Sequence, residues 1–572
     1  MKPFFVTTLQ AAKMPRWLLL VMCALYVVPG LVGRDPWRFQ DAAGFGVAWT
    51  MSLAPGGAFD WLAPNVLGEP VSGEGPLPFW MGAVAIRMLP FLAPDAVMRG
   101  VAMAWLVLFL VCLWYAAYLL ARRPEAQPAD PFGASASRAD YGRAIADSAL
   151  LVALASFGLI ARAHETTAES AQVAWVGVFL YGCALATERP RVGGAIAGLA
   201  VGLSMMSRGL PAAVPLALSA LALPALVGAY RLVARPMLAG FVPAAIAAAA
   251  AWPAALWAAG PDARAVLSDW LQWNQSQVSG PDGPGLLYLA QTLPWFFWPA
   301  WPLAAWAAWR WRERRLEPVV AVPAVTTLLL AVPAMLSPRG GDSMLLPLVP
   351  PLALLAALGL PTIRRGLASL IDWFAVMTFT LIGLALWAYW IAFQTGWPPR
   401  MAFRAQQSVI GFEPEVHAFE LVLGLTATLA WIVLVAWRVA RHPKALWRTM
   451  ILSAGGLVLT WSLLMTLWLP AGNYRKTYRD VAQQAGAVVA ATPGCVRTVG
   501  LDLAHRTSFA YFGRLRIDDA NPECPWLLLA ERPQAPIDVE RRIGGRWQVA
   551  WSGQRPADRQ ERFRLLQRAP ER

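Results

Sequence analysis

A polytopic α-helical membrane protein carrying a small α/β domain at its carboxyl end is the fold class this sequence predicts, and three observations predict it. Of 572 residues, 58% are hydrophobic and 14% charged, with 30 Trp, against about 25% charged residues in a soluble domain. Apolar stretches long enough to cross a hydrocarbon core of ~30 Å recur from the amino terminus to Pro470. Beyond Pro470 the composition turns polar, with short apolar runs separated by turn residues.

Taken in order, about thirteen segments satisfy the length criterion. They start near Trp17, Val97, Asp147, Glu169, Gly193, Leu210, Met237, Leu286, Pro318, Ser343, Leu367, His417 and Trp447. Lys2, Lys13 and Arg16 precede the first, as in a signal peptide, but no small-residue cleavage site leads into a soluble domain, so it reads as an uncleaved helix. Basic residues follow every second segment: Arg122-Arg123, Arg189 with Arg191, Arg231 with Arg235, the run Arg310 to Arg315, Arg364-Arg365, and Arg438, Arg441 and Lys444. Under the positive-inside rule this puts the amino terminus in the cytoplasm and the carboxyl end outside, in the periplasm of a bacterial inner membrane. The same clustering accounts for the net charge of +14 and argues against nucleic acid as a partner.

Residues 1–470 thus form the membrane domain and 471–572 the outer α/β domain. One apolar stretch, Pro76 to Leu92, breaks the alternation if it spans; with prolines at its start and Arg87 within, it suits a helix lying along the outer surface. The first outer loop, residues 34–96, is then long and structured, as functional loops are. The Pro-, Ala- and Ser-rich stretch Arg122 to Ile145 reads as a flexible cytoplasmic loop. In the outer domain a helix is expected around Tyr478 to Ala491, with strands at Val496 to Leu501 and Trp526 to Ala530. Cys23, Cys112 and Cys183 lie in spanning segments, whereas Cys495 and Cys524 both fall outside. A disulfide between these two suits an oxidising periplasm; the alternative, a metal site, is disfavoured by four His and no Cys-x-x-Cys pattern.

The residue types that carry chemistry gather on the outer side. In Asp35-Pro36-Trp37-Arg38-Phe39-Gln40-Asp41, two carboxylates flank an arginine at a spacing that one helical turn would close. Two readings stand: an acid/base or metal-binding carboxylate with a positioning arginine, or a solvated, self-neutralised helix start. Arg208, in Ser207-Arg208-Gly209, and Arg339, in Ser337-Pro338-Arg339, sit in outer turns otherwise poor in charge. Fixed guanidinium groups there suit a phosphate; snorkelling at a helix end is the plainer reading. The turn Arg162-Ala163-His164-Glu165-Thr166-Thr167-Ala168-Glu169 offers two acids and a His, the latter more often structural than a ligand. Asn274, Gln275 and Gln277 would suit a sugar, as would any polar loop. No Walker or Rossmann pattern occurs.

These residues resemble those of the GT-C membrane glycosyltransferases, specifically the aminoarabinose lipid A transferases and their protein O-mannosyltransferase relatives. That family's Asp-Glu-Thr-Arg-Tyr-x-Glu motif is matched by Asp35 to Asp41 at the first Asp, the Arg, the aromatic and the last acid. Its Asp-Trp-x-x-Pro-x-x-x-Gly is matched by Asp60 to Gly68, and its Glu-Lys-Pro by Glu74-Gly75-Pro76, with glycine for lysine. The resemblance implies inverting transfer of a sugar from a polyprenyl-phosphate donor to lipid A, another glycan or a protein at the outer membrane face. It implies Asp35 with Glu169 or Glu165 as catalytic acids, and Arg38, Asp41, Asp60, Glu74, Arg208 and Arg339 as substrate contacts. A divalent ion, if one takes part, would be held by Asp35 and Glu169. The alternative function is a transporter or flippase of lipid-linked sugars; transporters place broken helices and ionisable groups near the midplane, where Glu420 is the main acid here.

Overall fold

Each segment chosen by hydropathy is helical in the computed structural model, which describes residues 4–71, 73–129, 136–338, 341–440, 445–532, 546–555, 558 and 560–569. Among the described residues, seven helices are long and apolar enough to cross a membrane alone: Pro94–Ala121, Ala168–Ala186, Ala234–Ala258, Pro318–Leu336, Asp342–Thr362, Gly366–Thr395 and Ala418–Arg438. An eighth candidate is the bent pair Arg448–Leu464 and Leu469–Lys476, and the first and sixth predicted segments are the shorter apolar helices Arg16–Val27 and Leu210–Leu226. The segment predicted from Leu286 is divided into Gly283–Phe296 and Ala300–Arg310, because Pro299 has no N–H to continue the ladder. The calls on Arg441 and Lys444 lie outside the described residues.

One boundary is corrected. The helix expected from Asp147 begins at Arg138, where Ser137 caps it by accepting from the Asp140 N–H, and it runs to Leu154 almost wholly buried. Part of the stretch read as a flexible loop is therefore helix: Asp147 accepts from the Trp114 indole at 2.8 Å in the interior of the bundle.

Small residues set how closely the central helices pack. Gly194, Gly198 and Gly202 form an i, i+4 stripe on helix Pro190–Arg208, and a Cβ on the first two would lie 2.1 and 2.2 Å from the carbonyl oxygens of Met237 and Phe241. Helix Ala234–Ala258 thus meets it backbone to backbone, the mode that replaces hydrophobic association in lipid. Gly182 of helix Ala168–Ala186 and Gly193 of helix Pro190–Arg208 do the same toward each other's helix. The carboxyl end of helix Pro190–Arg208 and the amino end of helix Ala168–Ala186, Arg208 and Glu169, are thereby brought side by side.

The loop of residues 34–96 is structured. It holds helices Gln40–Leu53 and Ala58–Leu62, the hairpin Asn65–Val66 with Glu69–Pro70, and helix Leu77–Met88. The last buries Phe79, Ala83 and Ile86 against the protein and exposes Met81, Val84 and Met88, so it is apolar on both faces, as a helix at a membrane surface is.

In the carboxyl-terminal domain, helix Arg479–Ala491 covers a four-stranded sheet of order Val496–Val499, Trp526–Glu531, Arg562–Arg568, Trp547–Gly553. The first two strands run parallel, joined through helix Leu503–Tyr511; the others are antiparallel. Tyr478, Val481, Phe509, Trp526 and Phe563 fill its core. Cys495 and Cys524, each one or two residues ahead of a parallel strand, are joined in a disulfide with Cα atoms 5.0 Å apart. Helix Leu503–Tyr511 and the last two strands were not expected from the sequence. That helix is the docking element: Thr507 abuts Gly46, the Tyr511 ring stands edge-on to Phe45 and Trp49, and Arg506 donates to the Leu67 carbonyl at 3.0 Å.

Candidate active site

Pro36 cannot donate a helical hydrogen bond, and Phe39 takes a left-handed φ of 69°, so helix does not begin until Gln40. The expected turn that would bring Arg38 to both Asp35 and Asp41 does not form. Instead the three charged groups have separate partners. Arg38 pairs with Asp558 at 2.8 Å, Asp35 makes a bidentate pair with Arg479, and Asp41 pairs with Arg34 at 2.7 Å.

Asp41, expected to touch substrate, is a buried brace. Besides Arg34 it accepts from the Trp37 N–H at 3.0 Å and from the Thr166 N–H and hydroxyl, each at 2.8 Å. Burial pushes its carboxyl up, but Arg34, Arg99 and the Thr166 N–H together hold it below the ordinary carboxylate value. Asp60 is likewise taken up in its own turn, accepting from the Gly56 N–H at 2.6 Å and the Asn65 amide at 2.9 Å. Both carboxylates hold the loop by accepting from backbone N–H groups of its irregular segments.

Glu74, Glu169 and Arg208 converge. Arg208 Nη1 lies 2.9 Å from Glu169 Oε1 and 3.2 Å from Glu74 Oε1. Glu169 is 0% exposed and Arg208 7%. Glu169 stands in the first turn of helix Ala168–Ala186, where the helix dipole favours an acid. Beyond its ion pair, neither of its carboxylate oxygens has a hydrogen-bond donor among the described residues, nor do the buried hydroxyls of Thr167 and Ser204 have a partner there. A cluster with two acids, one base and unused hydrogen-bonding capacity is equipped to receive a polar group. A small cleft lined by Arg208, Gln172, Pro211, Leu330, Met344 and Pro347 opens beside it.

Glu165 and Glu169, which the sequence left undecided, enter different clusters. Glu165 pairs with Arg162 at 3.2 Å; Arg162 also donates to Gln40 at 2.8 Å and lies 3.6 Å from Asp342, which accepts from the Tyr288 hydroxyl. Burial and the neighbouring Asp41 push Glu165 up to about 7, with Arg162 opposing. His164 is structural: its ring nitrogens lie 2.6 and 2.7 Å from the Ile160 and Tyr26 carbonyls and its ring packs on Trp461. Asn274 accepts from the Leu210 N–H at 2.7 Å and so closes the break after Gly209. Arg339 lies outside the described residues. Asp35 and Glu169 are each paired with an arginine, and among the described residues no group of three or more His, Cys, Asp or Glu is placed to hold a metal.

Sequence reasoning missed Arg34, Arg162, Arg479, Tyr288 and Asp342. Arg34 borders the acidic cluster and Arg162 lies in the two-acid turn, so adjacency was a signal for both; the other three are distant in sequence from the charged groups they meet.

Glu74 carries a pH prediction. Burial and the nearby Glu169 push its carboxyl up to about 7, while Arg208 pulls it down. Because the folded value exceeds the ordinary one near 4.5, the folded state takes up the proton, and the stability gained from it at low pH is lost as pH rises through about 7. The Glu74→Gln variant, unable to ionise, is expected to gain thermal stability over wild type at pH 8 and not at pH 4.5. Melting curves in detergent that shift in parallel at both pH values would refute the assignment.

No protein-family model and no curated protein matches this sequence. Among solved structures, the chain is similar to ArnT from Cupriavidus metallidurans, in the crystal structure bound to undecaprenyl phosphate and in the apo state. For each the TM-score is 0.66 at 13% identity, covering 96% of this chain and 98% of that one. The chain has the GT-C fold. The archaeal oligosaccharyltransferase AglB from Archaeoglobus fulgidus is more distant, with a TM-score of 0.44 at 12% identity over 90% of this chain and 69% of that one. Within this GT-C chain, Glu74 comes from the loop of residues 34–96, Glu169 from the start of helix Ala168–Ala186 and Arg208 from the end of helix Pro190–Arg208, and the carboxyl-terminal domain reaches Asp35 through Arg479.

Proposed function

We propose that this protein is an inverting glycosyltransferase that moves a sugar from a polyprenyl-phosphate donor to a glycolipid, glycan or protein acceptor at the periplasmic face of a bacterial inner membrane. The observation that carries this reading is the convergence of Glu74, Glu169 and Arg208, three positions to which the resemblance gave roles in the sequence, Glu169 as one of two candidates, in one buried cluster. The ArnT structure bound to undecaprenyl phosphate, similar over nearly the whole chain, supports the donor class. Thirteen spans with a cytoplasmic amino terminus give this topology, the outer domain then lying in the periplasm.

In the proposed reaction Arg208 meets the donor phosphate and stabilises the negative charge that grows on it as the sugar leaves. Glu74, close to half-protonated near neutral pH, yields its share of the Arg208 charge when an anion arrives. Asp35 orients and deprotonates the acceptor hydroxyl, and Glu169 accepts a hydrogen bond from it or from the sugar. The attacking oxygen bonds to the anomeric carbon as the carbon–phosphate-oxygen bond breaks, and the lipid phosphate departs with the electron pair.

The test is transfer by purified protein in lipid, supplied with radiolabelled polyprenyl-phosphate sugars and membrane acceptors. Asp35→Asn is expected to lower the rate by about 10²–10⁴-fold while inserting and melting as wild type. Full activity in that variant would remove Asp35 from the mechanism, and translocation without transfer would point to a flippase.

A further inference from the structure

Asp35 lies in irregular backbone, where no helix or strand sets the direction of its side chain. What holds it comes from the far end of the chain. Arg479 Nε donates to Asp35 Oδ2 at 2.8 Å and its Nη2 to Oδ1, so both carboxylate oxygens lie in the guanidinium plane. One face of that guanidinium rests on the Phe512 ring, its Cζ 4.4 Å from the ring centroid. The Asp35 N–H donates to Asn473 at 3.1 Å, and Arg38 is held by Asp558, itself bound to Arg555 at 2.7 Å. Helix Leu503–Tyr511, which precedes Phe512, is anchored to the membrane domain by the Tyr511 hydroxyl on Asp95 at 2.8 Å.

Arg479 is 41% exposed in this pair, and exposed ion pairs add little stability. What a bidentate pair between planar groups supplies is orientation. Arg479 also lines an open groove between the outer domain and the start of helix Pro94–Ala121, so the pair can be reached from outside.

We infer that the outer domain is a positioning element of the active site, with Arg479 as the residue that fixes the plane of the Asp35 carboxylate. The inference rests on the transferase reading for the role of Asp35, and on the contacts alone for the positioning. An outer domain that only selects acceptors would need no bidentate hold on this carboxylate.

The experiment compares Arg479→Gln, Arg479→Lys and the exchanged pair Asp35→Arg with Arg479→Asp, in the full chain in lipid nanodiscs. Arg479→Gln is expected to lower kcat by about 10²-fold, the cost of misplacing a reacting group by about 1 Å, with the donor KM unchanged. Amide hydrogen exchange should rise over residues 34–41 while the sheet of the outer domain stays protected. Arg479→Lys should recover part of kcat, and the exchanged pair should restore protection without transfer. Wild-type exchange over residues 34–41 in Arg479→Gln, or transfer recovered by the exchanged pair, would overturn the inference. If wild-type protein transfers no sugar, the transferase reading fails, and exchange over residues 34–41 still decides whether Arg479 holds this segment.

Discussion

Replacement of Arg208 by glutamine is expected to slow sugar transfer severely and to destabilise the protein by about 3–5 kcal/mol at neutral pH, the cost of breaking a buried ion pair from one side. Arg208 is the cation shared by Glu169, with no solvent access, and by Glu74. Without it two carboxylates remain close together away from water, with no hydrogen-bond donor on either oxygen of Glu169. The destabilisation should shrink toward pH 5, because Glu74, already pushed up to about 7, takes a proton and removes one of the two charges. Loss of the stabilising charge on the leaving phosphate would lower the rate by about 10²–10³-fold. Arg208→Lys keeps a cation and is expected to keep the fold. The checks are melting temperature at pH 5 and 7.5, and transfer rate at a temperature where both proteins are folded; a variant that melts with wild type at pH 7.5 would show that the cluster is not a buried charge balance.

Introducing a lysine at Gly75 should also inactivate the protein. The aminoarabinose lipid A transferases that the sequence resembles have Glu-Lys-Pro where this chain has Glu74-Gly75-Pro76, and glycine here has a steric cause. A Cβ on Gly75 would lie 1.9 Å from the Met206 carbonyl oxygen, and the Gly75 N–H donates to the Ser207 carbonyl at 3.0 Å. The first outer loop therefore touches the end of helix Pro190–Arg208 backbone to backbone, and that contact holds Glu74 against Arg208. Gly75→Lys must push the two strands of backbone apart, at about 1–3 kcal/mol or more, and carry Glu74 away from its partner. Gly75→Ala, which adds the Cβ and no charge, is expected to lose transfer to a similar degree. Gly75→Lys with wild-type or higher activity would mean that the loop yields and that the lysine was merely absent.

The helical segments were readable because hydropathy is a local property: in hydrocarbon every backbone group must be satisfied within its own segment, so composition alone marks the helices. The first outer loop was legible for the same reason, as the interval that hydropathy and charge alternation left over. The acids and the arginine of the central cluster were legible as residue types, since Glu74, Glu169 and Arg208 each stood in a recognisable pattern.

Partnership was not legible. Helical spacing assigned Arg38 to Asp35 and Asp41, and Pro36 in their midst already argued against a helix there. Their partners stand 520, 444 and 7 residues away, at Asp558, Arg479 and Arg34. Likewise Glu165 and Glu169, four residues apart and alike in sequence context, separate because Thr166 is tied to Asp41 and only Glu169 enters the helix beside Arg208. Hydropathy and residue type, which act at each position by itself, were enough for helices, loop and candidate acids. Which charges meet depends on where close packing, glycine against backbone, leaves an ion no water and one available counter-charge, and that is decided only when distant segments are brought together.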